Sequence, residues 1–174
     1  MDDIVQAVLS HEEVARYLRG GPDLSPDQAH EKISGYLEEL RTTQRYSVYR
    51  TLKHPLYPIL RKVSRHPERL EIPKAATRTN RVIYASNHRS HMDYLVELLV
   101  LDENGIRPPV IAAGINLFNG AMGLLNRHVT GAIPIRRNSR DPAYLATLRG
   151  YVAEIVHRRD LFLYLEGGRS YSGE

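Results

Sequence analysis

Apolar positions in the first part of the chain recur with the period of an α-helix. Ile4, Val8, Ala15 and Leu18 fall along one side of residues 2–18. This spacing predicts an amphipathic helix, and the glycines and proline that follow directly are typical of a helix end.

A second helix is predicted to begin after Ser25. Ser25 can cap the helix, Pro26 suits its first position, and Gln28 can reach back to the cap. The helical pattern can be followed to about Leu52. We therefore predict a helical N-terminal segment and assign residues 1–66 to it.

From residue 81 onward, short apolar runs alternate with helical periods. Strands are predicted over residues 81–86, 109–113, 131–136 and 160–165, and helices over 93–103, 117–127 and 142–158. Asp141 and Pro142 give the last helix a cap and a first residue. Such alternation favours an α/β fold with a mostly parallel mixed sheet flanked by helices, which we place at residues 67–174.

Composition narrows the class of protein further. The 174 residues are 42% hydrophobic and 25% charged, as in an ordinary globular protein. There is no cysteine, which excludes disulfides, thiol catalysis and cysteine-ligated metal. The acidic start is unlike a signal peptide, and the uncharged run 108–126 is interrupted by glycine and proline. We interpret that run as buried strand, turn and short helix, with a membrane-dipping segment as the alternative.

Charge is unevenly distributed along the chain. Residues 1–40 carry a net charge of −6, residues 41–81 carry +9, and the remainder is nearly balanced. The basic block suits an anionic partner such as lipid head groups, a phosphorylated substrate or nucleic acid. The alternative is a solvated helix face that the preceding acidic block neutralises.

Polar side chains follow three of the four predicted strands. The first strand is followed by His88 and Asp93, the third by Arg136 and Arg137, and the fourth by Glu166, Gly167, Gly168, Arg169 and Ser170. Because the carboxyl ends of parallel strands line one crevice, these residues are expected to converge. A neutral histidine can accept a proton from a hydroxyl, and a carboxylate can orient it. Arginines bind phosphate through paired hydrogen bonds, and the glycines allow a ligand to approach the backbone. The pattern indicates a site that deprotonates an alcohol bearing a phosphate.

The same residues form motifs that resemble a known family. H-x4-D at His88, G-x3-I-R-R at Gly131 and E-G-G-R-S at Glu166 resemble the glycerolipid acyltransferase superfamily. The strings at residues 87–94 and 109–117 look specifically like its glycerol-3-phosphate acyltransferase branch, which includes the dihydroxyacetone-phosphate enzymes. The resemblance covers roughly residues 81–174.

The resemblance implies an activity and a role for each matching residue. His88 would act as general base, oriented by Asp93, in moving a fatty acyl group to the sn-1 hydroxyl of glycerol 3-phosphate. The donor would be acyl-CoA or acyl carrier protein, the product lysophosphatidic acid, and the pathway phospholipid biosynthesis. Glycerol 3-phosphate would be bound by Arg136, Arg137, Glu166, Gly167, Arg169 and Ser170.

The resemblance also carries expectations about partners, location and extent. No cofactor, metal or nucleic acid is expected, and the protein is expected at a membrane lipid surface on the cytoplasmic face. The fourth, proline-containing block of the family would come after Glu174. We therefore expect a domain that is truncated at its C-terminus, and whether this piece is active alone is left open.

Other functions remain open at this point. Within the superfamily, the acceptor could instead be 1-acylglycerol 3-phosphate or dihydroxyacetone phosphate. A metal hydrolase could use His88, His91 and Asp93, although no further histidine-rich segment completes the ligand set. A serine hydrolase could use Ser170, although the last glycine of the G-x-S-x-G elbow is absent. The basic block also allows a membrane- or nucleic-acid-binding module without activity.

Overall fold

A computed structural model of the chain describes residues 2–20, 24–41, 62–90, 93–119 and 131–165, with Pro58, Leu60 and Gly123. The helices in these ranges are α1 (Asp2–Ser10), α2 (Glu12–Leu18), α3 (Pro26–Leu40), α4 (Glu71–Thr79), α5 (Asp93–Glu103) and α6 (Pro142–Arg158). The strands are β1 (Ile83–Ser86), β2 (Val110–Gly114), β3 (Ile133–Ile135) and β4 (Leu161–Tyr164), with a 3-10 turn at Ile115–Phe118.

The strands form one sheet in the order β1-β4-β2-β3. Each described strand pair is parallel, with Ser86 opposite Tyr164 and Gly114 opposite Ile135. The predicted α/β fold with N-terminal helices is therefore confirmed, and the described sheet is parallel throughout rather than mixed. All four carboxyl ends lie at one edge, where functional residues gather in such sheets.

Helix α6 joins the N-terminal helices to the sheet. Tyr144 and Ile155 of α6 are buried in one core together with Val8 of α1, Ile33 of α3 and Val110 of β2. Burial of such side chains contributes roughly 1.5–3 kcal/mol each. The N-terminal helices therefore share their core with the α/β part, and the division into domains at residue 66 stays a prediction.

The predicted single helix over residues 2–18 is wrong, because the chain bends at His11. The His11 backbone is extended (φ −62°, ψ 135°) and separates α1 from α2. A Cβ added to Gly150 of α6 would lie 3.2 Å from Val8 and 3.5 Å from His11. The bend thus follows close packing of both short helices on α6, which a helical period along the sequence does not reveal.

The second predicted helix begins as expected and ends early. Ser25 and Gln28 form the predicted capping box, with Pro26 in the first turn. The helix ends at Leu40, since Arg41 leaves the helical region with ψ 120°. Leu40 is also the last of the buried positions of α3. Residues 42–57 lie outside the described ranges.

In the α/β part, the predicted elements agree well with the structure. The four predicted strands are confirmed: β1, β3 and β4 are slightly shorter than predicted, and β2 is shifted by one residue. The helices over 93–103 and 142–158 are confirmed as α5 and α6. The Asp141 side chain accepts hydrogen bonds from the first turn of α6, as predicted. The predicted helix over 117–127 overlaps the 3-10 turn, and most of it lies outside the described residues.

The remaining features are a helix that was not predicted and the structure of the uncharged run 108–126. Helix α4 was not predicted, and its Pro73 is tolerated because it falls in the first turn. The predicted buried strand within 108–126 is confirmed as β2. Within the described ranges, the helices are too short or too polar to cross a membrane.

A buried carboxylate fixes the amino ends of the strands, opposite the edge where the polar residues gather. The Asp160 side chain is 2% exposed, contacts Arg107 Nε at 3.1 Å and accepts a hydrogen bond from the Val82 N–H at 2.9 Å. The Asp160 carbonyl accepts from the Val110 N–H at 2.8 Å. One residue thus connects β1, β2 and β4 and sets their relative heights.

Candidate active site

His88 and Asp93 meet at the carboxyl end of β1, as the sequence predicts. His88 lies two residues after β1, and Asp93 is the first residue of α5. His88 Nδ1 lies 3.3 Å from Asp93 Oδ2, with the side chains 13% and 22% exposed. This contact favours the tautomer that carries a proton on Nδ1 and leaves proton acceptance to Nε2.

Asp93 also shapes the loop between β1 and α5. Its Oδ2 accepts hydrogen bonds from the backbone N–H groups of Arg89 and Ser90, each at 2.7 Å. The same oxygen therefore holds the loop and faces the imidazole of His88. At the N-terminus of α5, the helix dipole also favours the negative charge of Asp93.

A second carboxylate lies behind the histidine. The Tyr164 ring at the end of β4 packs against the His88 ring, with centroids 4.2 Å apart and planes 23° apart. The Tyr164 hydroxyl donates to Glu97 Oε2 at 2.8 Å, and the Ser86 hydroxyl donates to Glu97 Oε1 at 2.9 Å. Burial raises the pKa of Glu97 above its usual range, while these hydrogen bonds oppose the rise. Burial also raises the pKa of Tyr164, so its hydroxyl stays protonated and donates.

A mostly apolar cavity of about 620 Å³ adjoins His88. Its volume lies within the range of roughly 300–1,000 Å³ that is usual for small-molecule sites. Apolar lining comes from β2, β3, β4 and α6, and includes Ile111, Ala113, Ile135, Leu163 and Val152. Polar lining includes His88, Arg137 and Asn116, so the cavity combines a proton acceptor, a cation and an apolar interior.

Gly114 makes room for the cation in this cavity. A Cβ at Gly114 would lie 3.0 Å from Arg137 Nε and 2.6 Å from Asn116 Oδ1. Real Cβ atoms essentially never lie as close to another atom as 2.6 Å, so a side chain here would displace its neighbours. The absence of a side chain at the end of β2 therefore lets Arg137 reach the cavity beside Asn116.

The neighbouring arginine faces another part of the molecule. Arg136 Nε donates to Glu39 Oε1 of α3 at 2.8 Å, and its guanidinium lies 5.0 Å and 5.3 Å from the ring centroids of Tyr36 and Tyr144. The hydrogen bond to Glu39 raises the pKa of Arg136. Arg136 thus connects the second motif to the N-terminal helices, whereas Arg137 faces the cavity.

The remaining predicted site residues lie outside the described ranges: Glu166, Gly167, Arg169 and Ser170. They follow β4, the strand that carries Tyr164 and pairs with β1. His91, on which the metal-hydrolase alternative depends, is outside as well. Among the described residues, no group of three or more candidate ligands could hold a metal ion.

Sequence reasoning missed Glu97, Tyr164 and Gly114. Glu97 carried a signal, because a lone carboxylate interrupts an otherwise apolar helix four residues after Asp93. Tyr164 reads as an ordinary apolar strand residue. Gly114 reads as a turn, and its closeness to Arg137 follows from the pairing of β2 with β3.

Comparison with known proteins assigns the chain to a class. A family model described as "Acyltransferase" matches residues 68–174, more than half of the chain. The chain therefore belongs to the acyltransferase family, as the resemblance of its motifs indicated.

Curated relatives make the assignment more specific. One relative named glycerol-3-phosphate acyltransferase, from Xanthomonas campestris pv. campestris, is 46% identical to this chain over 102 residues, which make up 58% of this chain and 11% of the relative. A second is from Actinobacillus succinogenes (32% over 160 residues, 88% of this chain and 19% of the relative). A third is from Glaesserella parasuis serovar 5 (33% over 159 residues, 87% and 19%). The chain thus spans between about a tenth and a fifth of the length of these relatives.

Proposed function

We propose that this chain carries the acyl-transfer site of a glycerol-3-phosphate acyltransferase. In the proposed reaction, a fatty acyl group moves from acyl-CoA or acyl carrier protein to the sn-1 hydroxyl of glycerol 3-phosphate. The observation that carries the proposal is the contact between His88 Nδ1 and Asp93 Oδ2 at the mouth of an apolar cavity. The names of the curated relatives support the choice of acceptor.

The proposed chemistry needs one base and no covalent enzyme intermediate. His88 Nε2 accepts the proton of the acceptor hydroxyl as its oxygen attacks the thioester carbonyl. Asp93 stabilises the imidazolium that forms. The tetrahedral intermediate collapses, the carbon–sulfur bond breaks, and the imidazolium returns the proton to the leaving thiolate. The products are an ester and a free thiol, and His88 is again neutral.

The cavity suits the two substrates at different points. Its apolar wall, formed in part by Ile111, Leu163 and Val152, can take an acyl chain without burying an unsatisfied polar group. Arg137, which also lines the cavity, would bind the acceptor phosphate. Arg136, also predicted to bind that phosphate, is held by Glu39 and would reach the substrate only if that ion pair opened.

Attachment to a lipid surface is part of the proposal. The exposed side chains of Val63 (43%) and Ile72 (60%) lie in a stretch with exposed Lys74, Arg78 and Arg81. Apolar and basic groups together favour binding to anionic lipid, on the cytoplasmic side of a membrane. Co-sedimentation with anionic vesicles is expected to fall as salt rises. Equal binding to neutral vesicles at all salt concentrations would contradict this attachment.

Thiol release from palmitoyl-CoA tests the proposed activity. The chain contains no cysteine, so a thiol reagent reports only the CoA that is released. We expect release that requires glycerol 3-phosphate and is lost in His88→Ala. His157→Ala is the matched control, because His157 is exposed near the end of α6. Release that is independent of both the acceptor and His88 would overturn the proposal.

The acceptor is tested in the same assay. Glycerol 3-phosphate is expected to give faster release than 1-acylglycerol 3-phosphate or dihydroxyacetone phosphate at equal concentration. A clear preference for either alternative would keep the acyl transfer and change the acceptor. An extended chain that continues past residue 174 is tested in parallel, since the relatives are longer.

A further inference from the structure

The network behind His88 restricts the ring in a way that Asp93 alone does not. A hydrogen bond between Nδ1 and a carboxylate still lets an imidazole swing about the line joining the two atoms. Ring packing against Tyr164 at 4.2 Å opposes that swing, because the two planes are 23° apart. Tyr164 is in turn held through its hydroxyl by Glu97. The network therefore fixes the remaining degree of freedom of the ring.

We propose that Glu97 is a positioning residue for the acyl transfer, which acts by holding Tyr164 against His88. This inference rests on the proposed function. Asp93 would select the tautomer of His88, and Glu97, acting through Tyr164, would fix the plane of the ring. The acceptor hydroxyl then meets Nε2 in one direction rather than several.

The arrangement of elements explains how α5 supplies both the carboxylate that contacts His88 and the one that holds Tyr164. Asp93 and Glu97 are four residues apart in α5, so they project from the same helix face toward the sheet. Ser86 and Tyr164 are register partners in β1 and β4, and both donate to the Glu97 carboxylate. Because both oxygens of the carboxylate are used, its orientation is fixed from two strands at once.

A structural role alone would have a different signature. Glu97 also connects α5 to β1 and β4, so its loss could simply loosen the fold. Loosening would lower the fraction of folded enzyme and affect the binding of both substrates. Mispositioning of His88 would lower kcat far more than it changes KM, because Glu97→Ala removes no residue that lines the cavity: Glu97 lies outside the lining and Tyr164 is retained.

Kinetics of two variants separate these roles. We expect Glu97→Ala to lower kcat by about 10- to 100-fold, as misplacement of a catalytic group by about 1 Å does, with both KM values within twofold of wild type. Glu97→Gln keeps an acceptor for the Tyr164 hydroxyl and should recover part of the loss. Tyr164→Phe removes the hydroxyl that donates to Glu97 but keeps the ring. It tests the same contact if Glu97→Ala does not fold, and it should also lower kcat. Glu103→Ala is the matched control, because Glu103 is partly exposed at the far end of the same helix.

A spectrum of the histidine ring provides a readout that does not need turnover. Long-range 1H–15N correlation of the 15N-histidine-labelled chain reports each tautomer, and His88→Gln identifies the His88 signals. Glu97→Ala and Tyr164→Phe are expected to shift or broaden these signals, whereas Glu103→Ala leaves them unchanged. If His88 responds while neither the wild-type chain nor its extended form shows turnover, the restraint of the His88 ring by Glu97 and Tyr164 stands and the proposed function fails. If wild type turns over and Glu97→Ala changes neither kcat nor the His88 signals, the inference is overturned.

Discussion

Replacement of Asp93 by asparagine should separate its catalytic contribution from its structural one. The Oδ2 atom accepts from two backbone N–H groups at 2.7 Å and lies 3.3 Å from His88 Nδ1. An asparagine oxygen can keep both loop hydrogen bonds, but without the negative charge. Hydrogen bonds to charged groups contribute about 1.5–3 kcal/mol and neutral ones about 1 kcal/mol. Each of the two hydrogen bonds should therefore weaken by about 0.5–2 kcal/mol, roughly 1–4 kcal/mol for the loop, and the fold should persist.

The expected loss of activity is larger. A charge-assisted contact worth about 1.5–3 kcal/mol corresponds to roughly 10- to 150-fold in kcat/KM. An amide can also hold the wrong histidine tautomer, which in a Ser-His-Asp triad brings the loss in kcat to about 10⁴-fold. The Asp93 side chain is 22% exposed, so solvent weakens the effect and we expect a loss in kcat of about 10²- to 10³-fold.

Two measurements on the same variant test this reasoning. Thiol release gives kcat, and urea unfolding followed by circular dichroism gives the free energy of unfolding. Asp27→Asn is the matched control, since it places the same change in the first turn of α3. A folded Asp93→Asn protein that retains more than a fifth of wild-type kcat would refute the assigned role of Asp93.

Three further outcomes follow from the structure. Gly114→Ala should raise KM for glycerol 3-phosphate by about tenfold with a smaller effect on kcat. The reason is that a Cβ would lie 3.0 Å from Nε of Arg137, the proposed phosphate ligand, and displace it. An unchanged KM in steady-state assays would contradict this prediction. Asp160→Ala should lower the free energy of unfolding by about 2–4 kcal/mol in urea, because Arg107 and the partly buried Val82 N–H lose their partner. It should leave kcat unchanged, because Asp160 lies at the amino ends of the strands, opposite His88. Burial raises the pKa of Asp141, but hydrogen bonds from Lys32, Tyr36 and the first turn of α6 outweigh it and lower the pKa to about 2. The stability linked to this carboxylate should therefore be fully present above about pH 4 and lost between pH 4 and 2. Acid unfolding of Asp141→Asn that shows the same loss would count against this prediction.

Local signals in the sequence were sufficient for the elements of the α/β part. Asp141 and Pro142 predicted the start of α6 correctly, because a cap is satisfied by the first turn of its own helix. The apolar runs predicted β1 to β4. Strands β2 and β3 are largely buried and need no alternation, whereas β1 alternates between exposed and half-buried positions. Interactions within a few residues therefore decided these elements.

Long-range packing decided what the sequence did not reveal. The break at His11 packs close to Gly150, more than a hundred residues away, and α3 ends at its last buried position, Leu40. Strand order was also hidden, because no local rule places β4 between β1 and β2. Parallel pairing was enough to predict that the carboxyl ends of the strands converge. Which residues meet there depends on the strand order, which the sequence did not reveal.

The strand order explains why Tyr164 rather than another residue supports His88. In the order β1-β4-β2-β3, the described strand that comes last in the sequence, β4, lies directly beside β1, the strand that precedes His88. The register pairs Ser86 with Tyr164, so the residues just beyond both strands lie at the same height of the sheet. The packing of Tyr164 against the His88 ring therefore depends on the pairing of β1 with β4, two strands that lie far apart in the sequence.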